Sequence, residues 1–181
     1  GNNATIKAGA RIYGGTSIGP WCKIGGEVED SIVLGYSNKQ HEGFLGHSYL
    51  GQWVNLGADT NTSDLKNNYG PISISLEGHP VETGRMFLGS LIGDHVKTAI
   101  NTMLNTGSVI GTMSNLFGSG FCPKEVPPFS WGGSDGFARY RLDAAIGLAE
   151  RVMARRNVVF TERDRTLIEF LHNELQPDDH A

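Results

Sequence analysis

Aliphatic residues recur along this chain with a period of six. Ile6, Ile12, Ile18 and Ile24 are evenly spaced, and Ala10, Thr16, Cys22 and Val28 hold a second, smaller position four residues after each. The frame returns as Ile92, Thr98, Leu104, Ile110 and Leu116, with Val96, Thr102, Ser108 and Ser114 at the small position. A shorter piece, Phe44, Leu50, Leu56 and Thr62, lies between them. A helix of about 3.6 residues per turn cannot keep such a spacing on one face, and plain alternation with a partner strand does not call for it. Short strands separated by tight corners do. The aliphatic residue of each hexapeptide then points into a triangular prism and the small residue fills the corner beside it.

The pattern predicts an all-β solenoid, a left-handed parallel β-helix of hexapeptide repeats with a C-terminal α-helical tail. About five coils can be counted, interrupted by an excursion around residues 29–41 and a longer one around 63–85. After Cys122 the period gives way at Pro123, Pro127 and Pro128, which have no N–H to donate to a ladder, and a glycine-rich link follows over 132–136. Leu142, Ala145, Ile146, Ala149, Val152 and Met153 recur at helical spacing, and Thr161-Glu162-Arg163-Asp164 reads as the capped start of a second helix. The expected division is a solenoid over 1–131 and a linker with a two-helix tail over 132–181. A solenoid exposes its terminal coils, so the tail is expected to cap the prism or to pack on a neighbouring subunit.

Composition sharpens this. The chain has 25 glycines in 181 residues, about twice the usual share, as a structure built from corners requires. A net charge of −4 argues against nucleic acid as the partner. The late arginines, Arg151 to Arg165, alternate with acids as on a solvated helix face. No apolar run approaches the roughly 20 residues of a membrane span, and no signal segment opens the chain, so a soluble cytoplasmic protein is expected. Cys22 and Cys122 form no CxxC pair and read as packing residues. A start at Gly1 without Met is expected of a fragment whose upstream domain is missing.

Polar residues crowd into Ser37-Asn38-Lys39-Gln40-His41, Leu45-Gly46-His47 and Val54-Asn55-Leu56-Gly57-Ala58. Here the sequence resembles the acetyltransferase half of the bifunctional N-acetylglucosamine-1-phosphate uridyltransferase/glucosamine-1-phosphate acetyltransferases, in a variant sugar-nucleotidyltransferase form. The resemblance covers about residues 4–131 and is most specific over 37–70. His41, Leu45-Gly46 and Val54 to Ala58 match the family pattern without a gap, and Thr60-Asn61-Thr62 with Asn68-Tyr69-Gly70 match a later motif across a short insertion.

The resemblance implies that His41 is the catalytic base and that Asn55, Asn68 and Tyr69 contact the sugar. It also implies acetyl-CoA as co-substrate, lying along coil corners at Ala58 and Gly118, with Lys124 near its phosphates. A homotrimer with sites between subunits, and an N-terminal nucleotidyltransferase domain, are implied as well. The reaction would be N-acetylation of glucosamine 1-phosphate in UDP-N-acetylglucosamine and cell-envelope synthesis, with no metal needed. The chemistry is coherent on its own terms. An ammonium has no lone pair for attack on a thioester, and an imidazole, titrating near about 6.5, can take its proton at neutral pH. Backbone N–H groups at an interrupted coil can stabilise the oxyanion.

The departures matter too. Phe44 stands where the family has tyrosine, Ile100 replaces a corner serine of the coenzyme site, and Gly25, Glu27, Glu29 and Asp30 occupy the region of the family's phosphate-binding cations. Lys39, Lys66 and Arg85 are the replacements considered for the phosphate. Two other readings compete. The solenoid could merely trimerise a nucleotidyltransferase domain. Alternatively, His41, His47 and His79 could hold a metal as in γ-class carbonic anhydrases, although the His-x4-His spacing is absent.

Overall fold

The structure is a computed structural model that describes residues 1–175; residues 176–181 of the expected tail lie outside the described residues. It is a left-handed parallel β-helix of hexapeptide repeats followed by two helices. The first face stacks Thr5–Ile6, Lys23–Ile24, Asn38–Lys39, Asn55, Lys97–Thr98, Asn115–Leu116 and Ser130–Gly133 in parallel. The second stacks Arg11–Ile12, Glu27–Glu29 and Phe44–Gly46, then Asn61–Thr62, Met103–Leu104 and Phe121. The third stacks Ser17–Ile18, Ile32–Val33, Tyr49–Leu50, Leu91–Ile92, Val109–Ile110 and Glu125–Val126. Six rungs on two faces and seven on the first exceed the five coils of the sequence frame.

One residue of each short strand points inward. Ile24, Val28, Val33, Leu45, Leu50, Ile92, Leu104, Ile110 and Leu116 form one continuous core and are at most 1 % exposed. Burying each such side chain stabilises the fold by about 1.5–3 kcal/mol. Many of the small corner residues are serines, and the hydroxyls of Ser31, Ser37, Ser48 and Ser114 bind backbone of the adjoining coil. Ser37 Oγ, for example, donates to Gly51 O at 2.7 Å and accepts from Val54 N at 3.0 Å.

The six-residue frame needs two corrections. Val28 is not a corner residue but pairs with Ile12 and Leu45 and points inward, and Leu45, not Phe44, is the inward residue of its strand. Residues 29–41 are also not an excursion. Two successive corners are short instead, since Ile24 and Val28 are only four positions apart across Gly25-Gly26 and Val28 and Val33 only five apart across Asp30, and the phase of everything downstream moves. The true excursion leaves after Thr62 and contains an antiparallel hairpin, Ser73–Leu76 with His79–Glu82.

The prolines do not end the solenoid. Pro123, Pro127 and Pro128 flank Glu125–Val126, the last rung of the third face, where Lys124 O and Val126 O accept from the coil before and no following coil calls for their N–H groups. The glycine-rich link is likewise a hairpin, Ser130–Gly133 with Gly136–Arg139. Helix α1 (Leu142–Ala154) and helix α2 (Glu162–Glu174) follow, and Thr161 with Asp164 forms the capping box read from sequence. The helices do not simply cap the terminal coil. They pack around Met113, Phe129 and Tyr140 and run back along the prism, so that Arg156 reaches Asn38 and the carbonyl of Trp21.

The corner between the third and first faces carries a column of side chains in the left-handed region: Trp21 (φ 60°), Tyr36 (63°), Trp53 (61°) and His95 (60°). Their rings stack coil upon coil, with centroids 6.4, 4.1 and 6.0 Å apart. Stacking of this kind contributes about 0.5–1.5 kcal/mol per pair, which offsets part of the cost of about 1–3 kcal/mol for each side chain at positive φ.

Candidate functional site

His41 lies at the corner leading from the first face to the second, with its side chain exposed. The register of the first face, Asn38 to Asn55 to Lys97 to Asn115, carries His41, Ala58, Ile100 and Gly118 to the same corner in consecutive coils. Backbone bonds run directly along this edge, Asp59 N to Glu42 O (3.1 Å) and Asn101 N to Ala58 O (2.8 Å). With strands about 4.8 Å apart, His41 and Gly118 are roughly 14 Å apart along the edge. Gly118 has φ 114°, and a side chain there would meet nothing closer than Ser134 Oγ at 3.9 Å, so the edge is open beside it. Ile100, where the family has serine, projects 65 % exposed.

Lys39 occupies an inward position, in register with Ile24, and is 2 % exposed. Its Nζ donates to Gly25 O (3.1 Å) and to His41 O (2.8 Å). Desolvation pulls its pKa down to about 8, against the opposing pull of Glu42 and Asp59. As a contact to an external phosphate it is therefore misplaced: its ammonium is inside the prism, where it ties down the corner that carries His41. A Cβ at Gly26 would come within 2.6 Å of His41 O and 2.7 Å of Lys39 Nζ, so only glycine fits beneath this arrangement.

The other expected residues are dispersed within the single chain. Asn55 points outward from the first face, accepts from Asn38 Nδ2 at 3.3 Å and, with Gln40, lines a cavity under helix α1. Asn68 and Lys124 meet Lys66 around a separate cavity of about 380 Å³ at the foot of the excursion. There burial and the neighbouring Lys66 lower the Lys124 pKa, while Lys66 Nζ is engaged by Pro71 O at 2.6 Å. Tyr69 is 67 % exposed, and Arg85 is exposed in the irregular segment that follows the hairpin strand His79–Glu82. Beside His41 on the second face, Arg11 lies 3.4 Å from both Glu27 and Glu42, so the acidic stretch noted in the sequence is partly neutralised.

His47 sits one corner further round. Its Nδ1 is 2.7 Å from Asp64 Oδ2, its Nε2 is 3.5 Å from Asp30 Oδ2, and its ring stacks on Phe87 at 5.1 Å. His41, His47 and His79 thus belong to two different corners and a hairpin strand. Among the described residues no group of three His, Cys, Asp or Glu is arranged to hold a metal ion. Sequence reasoning missed the His47–Asp64 pair, and it also missed Lys23, Lys97, Arg155 and Arg156 around the cavity under α1. Writing out the residue before each inward position of the first face would have revealed the row Lys23, Asn38, Asn55, Lys97.

No protein-family model matches the chain. Among curated proteins it is 30% identical over 106 residues to a bifunctional sugar-1-phosphate nucleotidylyltransferase/acetyltransferase of Sulfurisphaera tokodaii, covering 58% of this chain and 26% of that protein. It is 34% identical over 127 residues to the bifunctional protein GlmU of Synechococcus elongatus, covering 69% and 24%. The chain thus spans about a quarter of the length of these relatives. Among solved structures, AntD, an N-acyltransferase from Bacillus cereus in complex with dTDP-4-amino-4,6-dideoxyglucose and coenzyme A, superposes with a TM-score of 0.57. That match is 14% identical and covers 85% of this chain and 89% of that one, which establishes the shared fold. No described helix is long and apolar enough to cross a membrane. The chain is a hexapeptide-repeat left-handed β-helix, similar in sequence over more than half of its length to part of the bifunctional sugar-1-phosphate nucleotidylyltransferase/acetyltransferases.

Proposed function

We propose that this chain is an acetyl-CoA-dependent N-acyltransferase whose acceptor is glucosamine 1-phosphate, working as a homotrimer in the supply of UDP-N-acetylglucosamine. The observation that supports this best is the alignment of His41, Ala58 and Gly118 on one open edge of the prism. A base and an extended coenzyme need such a common track. His41 takes a proton from the acceptor amine, the nitrogen attacks the thioester carbonyl, and the tetrahedral intermediate collapses with loss of the coenzyme thiolate. The imidazolium then returns its proton to sulfur. Backbone N–H groups at the corner serve the oxyanion, and no step uses a metal.

In this reading Asn55 holds the sugar, and Asn68 and Tyr69 reach it from the excursion of a neighbouring subunit. Lys124 faces the coenzyme phosphates. The free, buried thiols of Cys22 and Cys122 suit a cytoplasmic setting. Incubation with acetyl-CoA and glucosamine 1-phosphate is expected to release free thiol, and His41→Ala to lower the rate by about 100-fold or more. A second reading, a trimerising domain for a nucleotidyltransferase without transferase activity of its own, is favoured by the exposed His41 ring, which takes no hydrogen bond among the described residues. Equal thiol release by wild type and His41→Ala would remove the general base.

A further inference from the structure

Between the first face and helix α1 lies a cavity of about 520 Å³. Four basic side chains line it: Lys23 and Lys97 from the solenoid, Arg155 and Arg156 from the end of the helix. No Asp or Glu does. Among the described residues none of the four lies within 4.0 Å of a carboxylate oxygen. Four converging basic groups without a counter-charge are unusual in a chain whose net charge is −4. Basic residues often finish a helix, where they offset its dipole, and that accounts for Arg155 and Arg156. It does not account for Lys23 and Lys97, which come from different coils on the opposite wall.

The donors are only partly used. Lys97 Nζ donates to Trp53 O (2.8 Å) and His95 O (2.7 Å), which leaves a third N–H. Arg156 donates to Asn38 Oδ1 (2.6 Å) and Trp21 O (3.3 Å), which leaves three of the five guanidinium protons. With no carboxylate beside it, Lys97 is pulled down to a pKa of about 7 by desolvation alone, and an ion partner would reverse this. Between Lys23 and Lys97 the same row presents the amides of Asn38 and Asn55, with Gln40 beside them. Trp21, 42 % exposed, lines the cavity together with Tyr36 and Trp53. Cations suit phosphate oxygens, amides suit hydroxyl groups, and an indole suits the face of a ring.

We propose that this cavity binds a phosphorylated sugar, with Lys23, Lys97, Arg155 and Arg156 holding the phosphate and Asn38, Asn55 and Gln40 the hydroxyls. The sugar phosphate is either a simple monoester or part of a nucleotide sugar. Through Asn55, which also lines this cavity, the inference rests in part on the acceptor reading above; binding is measured without acyl transfer, and Lys23→Gln/Arg155→Gln changes no residue of that reading, so loss of binding and loss of transferase activity are read separately.

The test is titration calorimetry of the full chain with glucosamine 1-phosphate, UDP-N-acetylglucosamine, inorganic phosphate and unphosphorylated glucosamine, with tryptophan fluorescence in parallel. The first two are expected to bind at least tenfold more tightly than glucosamine, more weakly as salt is raised, and to change an emission that Trp21→Phe largely removes. Whichever of the two binds more tightly identifies the source of the phosphate. The double variant Lys23→Gln/Arg155→Gln should weaken binding at least tenfold, whereas the charge-matched Lys7→Gln/Arg163→Gln, at exposed positions elsewhere, should not. Circular dichroism and melting of both variants guard against misfolding. Equal weakening by both doubles, equal affinity for glucosamine, or equal affinity for inorganic phosphate and the sugar esters would each overturn the assignment.

Discussion

The Lys39 ammonium reaches the carbonyl oxygen of His41, 2.8 Å away, from inside the prism, while the imidazole of the same histidine faces outward. One residue of the interior row thus fixes the backbone of the residue proposed as the base. Lys39→Met is expected to keep the fold, because a buried cation is exchanged for an apolar side chain in an apolar row while two carbonyls lose a donor at about 1–3 kcal/mol each. Acetyl transfer should fall by more than the melting temperature implies. Thermal melting beside a thiol-release assay separates the two, and full activity in the variant would dissociate Lys39 from the site.

Stability should rise with pH above neutrality. The pKa values of Lys97 (about 7) and Lys39 (about 8) lie below the ordinary 10.5, so between those values and 10.5 the unfolded chain holds protons that the folded chain has shed. Raising pH through this window therefore favours the folded state. Denaturant titrations at about pH 7.5 and about pH 9.5, near the two ends of the window, should show the gain in wild type and a smaller gain in Lys97→Met.

Acid should act through His95. Burial and the neighbouring Lys97 push its pKa down to about 3 from 6.5, only partly opposed by Asp164. The unfolded state takes up the proton first, so its contribution to stability is lost as pH falls from 6.5 towards 3. His95→Phe should flatten this limb and keep the stack on Trp53, since Phe129 already occupies the left-handed region at the same corner with φ 55°. An unchanged acid limb in denaturation curves would place the sensitivity elsewhere.

The register can be tested by two neighbouring truncations. Leu45→Ala removes a fully buried side chain and should cost about 2–5 kcal/mol. Phe44→Ala, on the outward side of the same strand, should cost less than half as much. The opposite order in denaturant unfolding would restore the frame read from sequence.

His47 and Asp64 fasten the root of the excursion to its corner. Asp64→Asn should cost about 1 kcal/mol and hasten limited proteolysis within residues 63–85. Unchanged cleavage would mean the pair is not what holds that segment.

The solenoid was legible because neither a helix nor an ordinary sheet returns an aliphatic to the same face every six residues, and the helices because Leu142 to Met153 and the Thr161 box obey local rules. What escaped was phase. Two short corners after Ile24 turn Val28 inward and bring Lys39 onto an aliphatic row, and a lysine at such a position reads as surface until the pairing with Ile24 is seen. Glycine was expected to supply the tight corners, yet one column uses Trp21, Tyr36, Trp53 and His95, whose stacking joins residues of successive coils. That Ala58 and Gly118 lie at corners is implied by the family resemblance, and the register of the first face carries His41 to the same edge. The cavity under α1 is not legible, because the fold-back of the helix is a tertiary event that no local pattern announces.

A solenoid is held together rung by rung, so its ends can fray independently of its middle. The contact of Arg156 with the Trp21 carbonyl joins residues 135 apart in the chain. It works as a strap: an early coil that peels away must also break its hold on the end of helix α1, which couples the two ends of an otherwise one-dimensional stack in unfolding.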